Sequence, residues 1–188
     1  MPIKIEELCR YFRVGGSTVR ALDGVSLNID DGEYVTICGA SGSGKSTLMN
    51  ILGCLDVPTS GRYLLDGENV TSLADDKLSH IRGSKIGFVF QSFNLIPYLT
   101  AQENVELPLM YRGIPRRQRR EAAREALEQV GLLNRADHRP CEMSGGQQQR
   151  TAIARAIAAR PSMIPHDENT AKHAERLIRI ADGKIACG

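Results

Sequence analysis

The residues from Gly39 to Ser46 have the types and the spacing of a loop that holds phosphate. They run GASGSGKS and match the pattern G-x-x-x-x-G-K-[ST]. Gly39 and Gly44 can adopt backbone conformations that a Cβ would forbid, so successive N–H groups can turn inward towards an anion. Lys45 can place its charge on the β- and γ-phosphates, and the Ser46 hydroxyl can bind Mg²⁺. The motif therefore predicts that the chain binds a nucleoside triphosphate, or descends from one that did.

A strand and a helix flank this loop in the expected order. Residues 34–38 form the short apolar run YVTIC, and the pattern predicts a helix over residues 45–53. The positive end of that helix would point at the same phosphates. The residues predicted to contact them are Gly39, Ala40, Ser41, Gly42, Ser43, Gly44, Lys45, Ser46 and Thr47.

A second site for phosphate is predicted at Met143–Gln147, which reads MSGGQ and runs into QQR and a helix. Ser144 is a favourable N-cap residue. Gly145 and Gly146 leave backbone N–H groups exposed at the positive end of the helix. The four residues from Ser144 to Gln147 (Ser144, Gly145, Gly146, Gln147) are therefore candidate phosphate ligands. Alone, the pattern is also compatible with a simple helix cap.

The remaining elements indicate an α/β core with a helical segment inserted into it. Strands are predicted over residues 18–22, 25–29 and 62–65, and the continuous apolar run IGFVF at 86–90 is typical of a buried parallel strand. After residue 91, Pro97, Pro108 and Pro115 are expected to break the chain. Helices are predicted from Thr100, from Pro115 to about 130 and from 144 to about 159.

Length and composition exclude several classes of protein. The 188 residues suit one domain, and the net charge of +2 provides no global field for nucleic acid. Five scattered cysteines form no metal or redox pattern and favour a reducing compartment. We find no apolar run long enough to span a bilayer. Arginines concentrate between residues 112 and 124, which predicts a solvated helix face balanced by glutamates or, alternatively, a contact with anionic lipid or an acidic loop.

The combination of the two motifs resembles the nucleotide-binding subunits of ABC transporters over almost the whole chain. The resemblance implies that two subunits pair head to tail, so that each MSGGQ closes over the γ-phosphate held by the partner's loop. It also implies that Tyr11 stacks on adenine and that Gln91 senses Mg²⁺ and water; a core tyrosine and a polar strand-end glutamine are the structural alternatives. ATP and Mg²⁺ are the implied cofactors.

Several segments are similar to one branch of that family, the ATPases of lipoprotein-release and macrolide-export permeases. They are STLMNILGCLD, IGFVFQSFNL, LTAQENVELPL and SGGQQQR. The resemblance implies a P-loop NTPase fold of the α/β class, with an ABC-type core, an antiparallel β subdomain and an inserted α-helical subdomain. One nucleotide-binding domain would occupy residues 1–188, with the core in 1–91 and 150–188 and the helical subdomain in 92–149. The implied partner is an integral membrane permease, reached from the cytoplasmic face of the membrane, with no nucleic acid involved.

The chain departs from this pattern at residues 161–170, PSMIPHDENT. The family's hydrolytic Asp-Glu pair ends an apolar strand, and its switch histidine lies about forty residues later. Counted forward from Pro161, Asp167 falls at the Mg²⁺ ligand and Glu168 at the base. Counted backward from the DG at 182–183, His166 falls at the switch histidine. The same residues cannot occupy two strand ends.

The residues around Pro165 favour the backward count, which places His166 at the switch histidine. Only Met163 and Ile164 precede Pro165, which cannot donate to a sheet and is unfavourable in a central strand. Twenty residues after Glu168 are too few for a complete parallel crossover and a further strand. We therefore predict an internal deletion that removed one or two core strands. An impaired but working pair at Asp167 and Glu168 is the alternative, as is a polar surface turn.

Three functions follow from these observations. The first is an ATP-binding and ATP-hydrolysing subunit that drives a permease for export or lipoprotein release. The second is a module that binds ATP without significant turnover, because the catalytic strand is truncated. The third is an ABC-type ATPase of DNA repair or translation, which the single P-loop and the lack of a nucleic-acid-binding arm make less favourable.

Overall fold

The computed structural model describes residues 2–89, 93–164 and 176–186 of the chain. The described strands and α-helices, in chain order, are β1 (Ile3–Val14), β2 (Ser17–Ile29), β3 (Val35–Cys38), α1 (Lys45–Leu52), β4 (Ser60–Leu65), β5 (Glu68–Asn69), α2 (Asp75–Lys85), α3 (Ala101–Tyr111), α4 (Arg116–Gln129), α5 (Gly145–Ala158), β6 (Arg176–Ala181) and β7 (Lys184–Ala186).

The chain forms two compact units. Of the described residues, the first unit holds 2–79 and 176–186, and the second holds 80–89 and 93–164. The predicted extents of the core (1–91 and 150–188) and of the helical subdomain (92–149) remain predictions.

An antiparallel sheet makes up much of the first unit. Its strands lie in the order β2-β1-β4-β5, and β1 pairs with both β2 and β4. Along β1 the buried side chains are Ile3, Ile5 and Leu8. The change from a two-residue to a three-residue interval coincides with a register shift between Ile5 and Leu8, where Glu7 has a φ of 46°. This irregularity lets the long strand keep its apolar side chains on the buried face.

A second sheet carries the predicted phosphate loop. Strand β3 pairs in parallel with β6, and β6 pairs with β7 in an antiparallel hairpin. The loop leaves the carboxyl end of β3 and leads directly into α1. Ligands of α/β proteins bind outside the carboxyl ends of parallel strands, so this loop is in a favourable place for a ligand.

The second unit is built around three helices, α3, α4 and α5. Their buried face includes Val105 and Leu109 of α3, Ala123 and Leu127 of α4, and Ala154 of α5. The repeated alanines allow the helices to approach closely. Helix α3 begins with the predicted capping box: Thr100 Oγ1 accepts from the Glu103 N–H at 3.2 Å, and Glu103 accepts from the Thr100 N–H at 2.8 Å. The helices predicted from 100, 115 and 144 are thus confirmed.

Three features differ from the sequence-based expectations. The run at 86–90 was expected to be a parallel strand, but its described residues 86–89 form no continuous strand: Ile86 makes an isolated parallel bridge to Met163, and Val89 is a separate bridge residue. In the sequence, Pro165 follows two residues after Met163, and proline cannot donate to a ladder. Pro108 was expected to break the chain and instead lies inside α3. Helix α2 was not predicted, because its apolar periodicity is weak.

Candidate functional site

The loop from Gly39 to Ser46 is folded around the side chain of Lys45. The Lys45 Nζ donates to the carbonyl oxygen of Gly39 at 2.8 Å and to that of Ala40 at 2.7 Å. The Ser43 N–H donates back to the Ala40 carbonyl at 3.2 Å. The lysine ammonium therefore lies against the backbone of its own loop, at the start of α1.

Close packing against neighbouring backbone explains two of the loop's glycines. A Cβ on Gly39 would lie 2.1 Å from the carbonyl oxygen of Ile180 in β6. A Cβ on Gly44 would lie 2.3 Å from the carbonyl oxygen of Ala21 in β2, and the φ of Gly44 is +104°. Both colliding atoms are backbone oxygens, which cannot move aside as the end of a flexible side chain can. Only glycine therefore fits at these two positions.

The loop is further tied to the β6–β7 hairpin. The Gly183 N–H donates to the Ser43 carbonyl at 3.0 Å, and the Gly183 carbonyl accepts from the Asp23 N–H at 2.9 Å. One turn residue thus joins the phosphate loop to β2. In the sequence, the DG at 182–183 served only as the position from which the switch histidine was counted. Its contacts with Ser43 and Asp23 depend on how the strands pair.

The start of α1 fits an anion. The first-turn N–H groups of a helix have no partner within the helix, and here the N-cap Gly44 supplies no side-chain acceptor and the first turn holds no acidic residue. The Ser43 hydroxyl is buried, and its Oγ has no hydrogen-bond partner among the described residues. A buried hydroxyl without a partner is costly, and a phosphate oxygen would satisfy it. The residues present therefore fit a phosphate group.

Tyr11 lies in β1 within a polar cluster of the same unit. Its hydroxyl donates to Asp23 Oδ1 at 2.7 Å, and the guanidinium of Arg20 lies over its ring, 5.5 Å from the centroid. Asp23 Oδ2 is 3.5 Å from a nitrogen of Arg20 and 3.7 Å from the Lys184 Nζ. The tyrosine ring is held by its hydroxyl and is partly covered by a cation.

This network shifts the pKa of both partners of the central hydrogen bond. Accepting a hydrogen bond from Tyr11 lowers the pKa of Asp23, and the pairing with Arg20 and Lys184 adds to that effect. Donating to Asp23 raises the pKa of the Tyr11 hydroxyl. Asp23 therefore stays ionised and Tyr11 stays neutral over the physiological range of pH.

Asp23 and Arg20 are site residues that the sequence analysis missed. Arg20 lies directly opposite Tyr11 across β1 and β2, but the register shifts between Arg10 and Tyr11. A shifted register cannot be counted from the alternation of side chains. In the sequence, Asp23 is part of the dipeptide Asp23-Gly24, which predicts only a turn.

The second predicted motif begins α5 in the second unit. Ser144 is the N-cap: its Oγ accepts from the Gln147 N–H at 3.4 Å, and Gln147 Oε1 accepts from the Ser144 N–H at 2.8 Å. Gly145 and Gly146 are exposed. The capping box orders the first turn while leaving its glycine N–H groups facing solvent, where an external anion can reach them.

The remaining predicted site residues, Gln91, His166, Asp167 and Glu168, lie outside the described residues. Their roles stay as the sequence analysis predicted them. Within residues 2–89, 93–164 and 176–186, no group of three or more His, Cys, Asp or Glu side chains is arranged to hold a metal ion. Ser46 is therefore the described candidate ligand for Mg²⁺, and it is exposed at the start of α1.

A loop of this geometry between a parallel strand and a helix defines a P-loop NTPase. The antiparallel sheet, together with a helical unit whose serine-capped helix α5 begins with two glycines, defines its ABC-type class. A family model described as "ABC transporter" matches residues 22–171. The chain therefore belongs to the ABC transporter family, whose ATP-binding members are transport ATPases.

Individual relatives agree with this assignment. The chain is 47% identical to the macrolide export ATP-binding/permease protein MacB of Brucella melitensis, in an alignment covering 97% of this chain and 34% of that protein. It is 54% identical to an uncharacterized ABC transporter ATP-binding protein of Thermotoga maritima, with 89% and 72% covered. The chain thus spans about a third of the length of the MacB relatives that it matches.

Solved structures of ABC cassettes share the fold. The dimeric structure of a post-hydrolysis state of the ATP-binding cassette MJ0796, bound to ADP and Pi, has a TM-score of 0.88 and 40% identity. The match covers 98% of this chain and 97% of that chain. A second dimeric structure of MJ0796 has the same TM-score at 41% identity. The predicted fold class is confirmed.

The comparison with MacB also bears on the predicted deletion. Its alignment extends over 217 positions, which exceeds the 188 residues of the whole chain. The relative therefore has residues within the aligned stretch that this chain lacks. This agrees with a chain shortened internally relative to its family.

Proposed function

We propose that this chain binds Mg·ATP on the loop from Gly39 to Thr47 and hydrolyses it to drive a permease for export or lipoprotein release. The observation that carries the proposal is the set of phosphate-binding groups at the start of α1. There an uncapped helix end, the Lys45 ammonium and the unpartnered Ser43 hydroxyl lie together in one loop. A polyphosphate supplies the negative charge and the acceptor oxygens that all three groups need.

Each loop residue has a separate task in this proposal. Lys45 leaves its two carbonyl partners for the β- and γ-phosphates, and the α1 N–H groups bind phosphate oxygens. Mg²⁺, when bound by the Ser46 hydroxyl, supplies charge neutralisation between the phosphates. For hydrolysis, Gln91 and Asp167 are proposed to complete the metal site and Glu168 to orient the attacking water. In the alternative assignment, which belongs to the module that binds ATP without turnover, His166 is the switch histidine and the hydrolytic pair is missing.

We also propose that the active unit is a head-to-tail pair of cassettes. Dimeric structures of MJ0796 support a pair in this family. In such a pair, the exposed glycine N–H groups at residues 144–147 of one subunit bind the γ-phosphate on the other subunit's loop. This assigns a task to a helix end that its own capping box leaves open to an external ligand.

The relatives support a membrane partner. The MacB relatives carry ATP-binding and permease functions in their names, which suits a cassette that contacts a permease from the cytoplasmic face. Among the described helices, none has the length and apolarity required to cross a bilayer. Co-purification with an integral membrane permease tests this part of the proposal, and co-purification with nucleic acid or ribosomes would contradict it.

Mixing two inactive variants tests both the composite site and hydrolysis. Lys45→Ala removes the loop's ammonium, and Gly146→Asp places a carboxylate where the partner's γ-phosphate should bind. Gly146 has room for a side chain, since the nearest atom to an added Cβ is 3.9 Å away, and an acidic residue suits a helix N-terminus. Each variant alone should hydrolyse ATP at background rate. An equal mixture should recover about one quarter of the wild-type rate, because half of the dimers then hold one intact site of two.

The control for this experiment is the double variant that carries both changes, mixed with wild type. Its mixed dimers have one damaged component in each site and no intact site. Wild-type homodimers still make up a quarter of the dimers in that mixture, so its expected rate is about one quarter of the wild-type rate. Sites contained within single subunits would instead give no recovery in the first mixture and about one half of the wild-type rate in the second, and that result would contradict the head-to-tail arrangement. Hydrolysis at background rate by the wild-type chain, with Mg·ATP still bound, would instead favour the module that binds without turnover.

We further propose that the Tyr11 ring stacks on adenine. Comparing the binding of ATP with that of a polyphosphate that has no base tests this role. Stacking of a base on an aromatic ring contributes about 1–3 kcal/mol, so Tyr11→Ala should weaken ATP binding by roughly 5- to 150-fold. Binding of inorganic tripolyphosphate, measured by calorimetry, should not change. Tyr11→Phe keeps the ring and serves as the matched control. Equal loss for both ligands would show that Tyr11 supports the fold and not the base.

A further inference from the structure

Three arginines form a row along α4 that is separate from the nucleotide site. Arg116, Arg120 and Arg124 are spaced four residues apart, so they lie on one side of the helix and extend over about 12 Å of its length. All three are exposed. We call these three residues the arginine row.

No carboxylate among the described residues pairs with the arginine row. Of the acidic side chains nearby, Glu121 is engaged by Arg117 at 3.1 Å and Glu106 by Arg119 at 3.0 Å. Glu128 lies one turn after Arg124 but forms no ion pair with it. Glu125 is 4.0 Å from Arg160. The expectation that glutamates balance this face of the helix is therefore met for the neighbouring arginines and not for the row itself.

The position of the row is unfavourable for the helix that carries it. Like charges four residues apart repel each other, and cations near a helix N-terminus oppose the helix dipole. Helix α4 has no acidic residue in its first turn, and Pro115 gives no side-chain cap. Since this local pattern weakens the isolated helix, an external anion explains its presence better than helix stability does.

Apolar side chains are exposed next to the beginning of the row. Tyr111 is 80% exposed and Met110 is 45% exposed at the end of α3, five and six residues before Arg116 in the chain. Exposed Tyr and Met beside a basic helix are typical of a surface that rests at the membrane interface, where apolar groups enter the headgroup region and cations bind lipid phosphate.

We propose that the arginine row, with Met110 and Tyr111, binds the headgroups of an anionic lipid surface. The lipid phosphates would neutralise the three unpaired cations, and the two apolar side chains would enter the interface beside them. This contact requires no nucleotide and no permease, so it is independent of the function proposed above.

Vesicle cosedimentation of the full chain tests the proposal. Wild type should bind vesicles containing about 30% phosphatidylglycerol much more tightly than phosphatidylcholine vesicles, and about 1 M salt should remove most of that binding. Arg116→Gln, Arg120→Gln and Arg124→Gln together should weaken binding by about a hundredfold, roughly fivefold for each charge. Glutamine keeps length and helix propensity, so the far-UV circular dichroism should not change.

A matched control removes three other exposed cations from the first unit: Lys4→Gln, Arg13→Gln and Arg62→Gln. This variant should bind anionic vesicles within about threefold of wild type, since these cations are separate from the row. Met110→Ser with Tyr111→Ser should remove the binding that persists at high salt.

Three results would overturn the proposal. One is equal binding of wild type to anionic and neutral vesicles. Another is an equal effect of the control variant, which would assign binding to net charge. The third is unchanged vesicle binding by the row variant. If this variant also loses binding to poly-glutamate, measured in the same buffer, the row is assigned to an acidic protein surface.

Discussion

Replacing Lys45 by alanine is expected to weaken Mg·ATP binding by at least a hundredfold. The Lys45 Nζ is held by two carbonyl oxygens of its own loop, at 2.8 Å from Gly39 and 2.7 Å from Ala40, and so is already placed at the start of α1. A charge-assisted hydrogen bond contributes about 1.5–3 kcal/mol, and the lysine would make two such bonds to phosphate. Their loss amounts to roughly 3 kcal/mol or more, which is about a hundredfold in affinity.

Calorimetric titration with Mg·ATP measures this effect, and Lys4→Ala is the control. Lys4 is exposed on β1 and pairs only with Glu6 on the surface, so its removal should change affinity less than twofold. The fold should tolerate Lys45→Ala, because the two freed carbonyls can be hydrated. An affinity of Lys45→Ala within threefold of wild type would show that the loop does not hold the phosphates.

Replacing Gly44 by alanine is expected to destabilise the first unit by roughly 2–6 kcal/mol. A φ of +104° is strained for any residue with a side chain, at a cost of about 1–3 kcal/mol. The new Cβ would also lie 2.3 Å from the Ala21 carbonyl oxygen, so the backbone must shift, which adds about 1–3 kcal/mol. The free energy of unfolding from urea titration measures the sum.

The variant Gly42→Ala separates the cost of a positive φ from the cost of the steric clash between the added Cβ and a neighbouring backbone atom. Gly42 also has a positive φ, +80°, but no atom lies within 4 Å of the position of an added Cβ. This variant should lose only about 1–2 kcal/mol, the cost of a left-handed conformation alone. Equal destabilisation of the two variants would mean that the contact between Gly44 and β2 carries no energetic weight. Phosphate binding should weaken more in Gly44→Ala, because Gly44 is the N-cap of α1.

Local patterns were sufficient for the helices and for the two phosphate motifs. Thr100 with Glu103, and Ser144 with Gln147, form capping boxes that depend on residues three apart, and both are present. The glycines of the P-loop and the lysine after them are likewise local. Such patterns are readable because each forms within a few residues, before any long-range contact is needed.

Long-range pairing decided the features that the sequence analysis missed. Asp23 reaches the Tyr11 hydroxyl only because β1 and β2 pair with a shifted register, and Arg20 covers the Tyr11 ring for the same reason. The run at 86–90 has the composition of a parallel strand, but its described residues form isolated bridges and no continuous strand. Composition alone carries no information about the partner.

The sequence by itself determined that this protein holds a phosphate loop, a second helix start with two exposed glycines and a place in the ABC transporter family, because these depend on residues adjacent in the chain. Only the tertiary structure showed why Gly39 and Gly44 must be glycine, since Ile180 and Ala21 approach them from other strands. It also showed that, among the residues that the structure describes, the buried Ser43 hydroxyl has no hydrogen-bond partner and no carboxylate pairs with the arginine row. Burial and pairing are properties of neighbours in space, and the order of residues along the chain does not specify them.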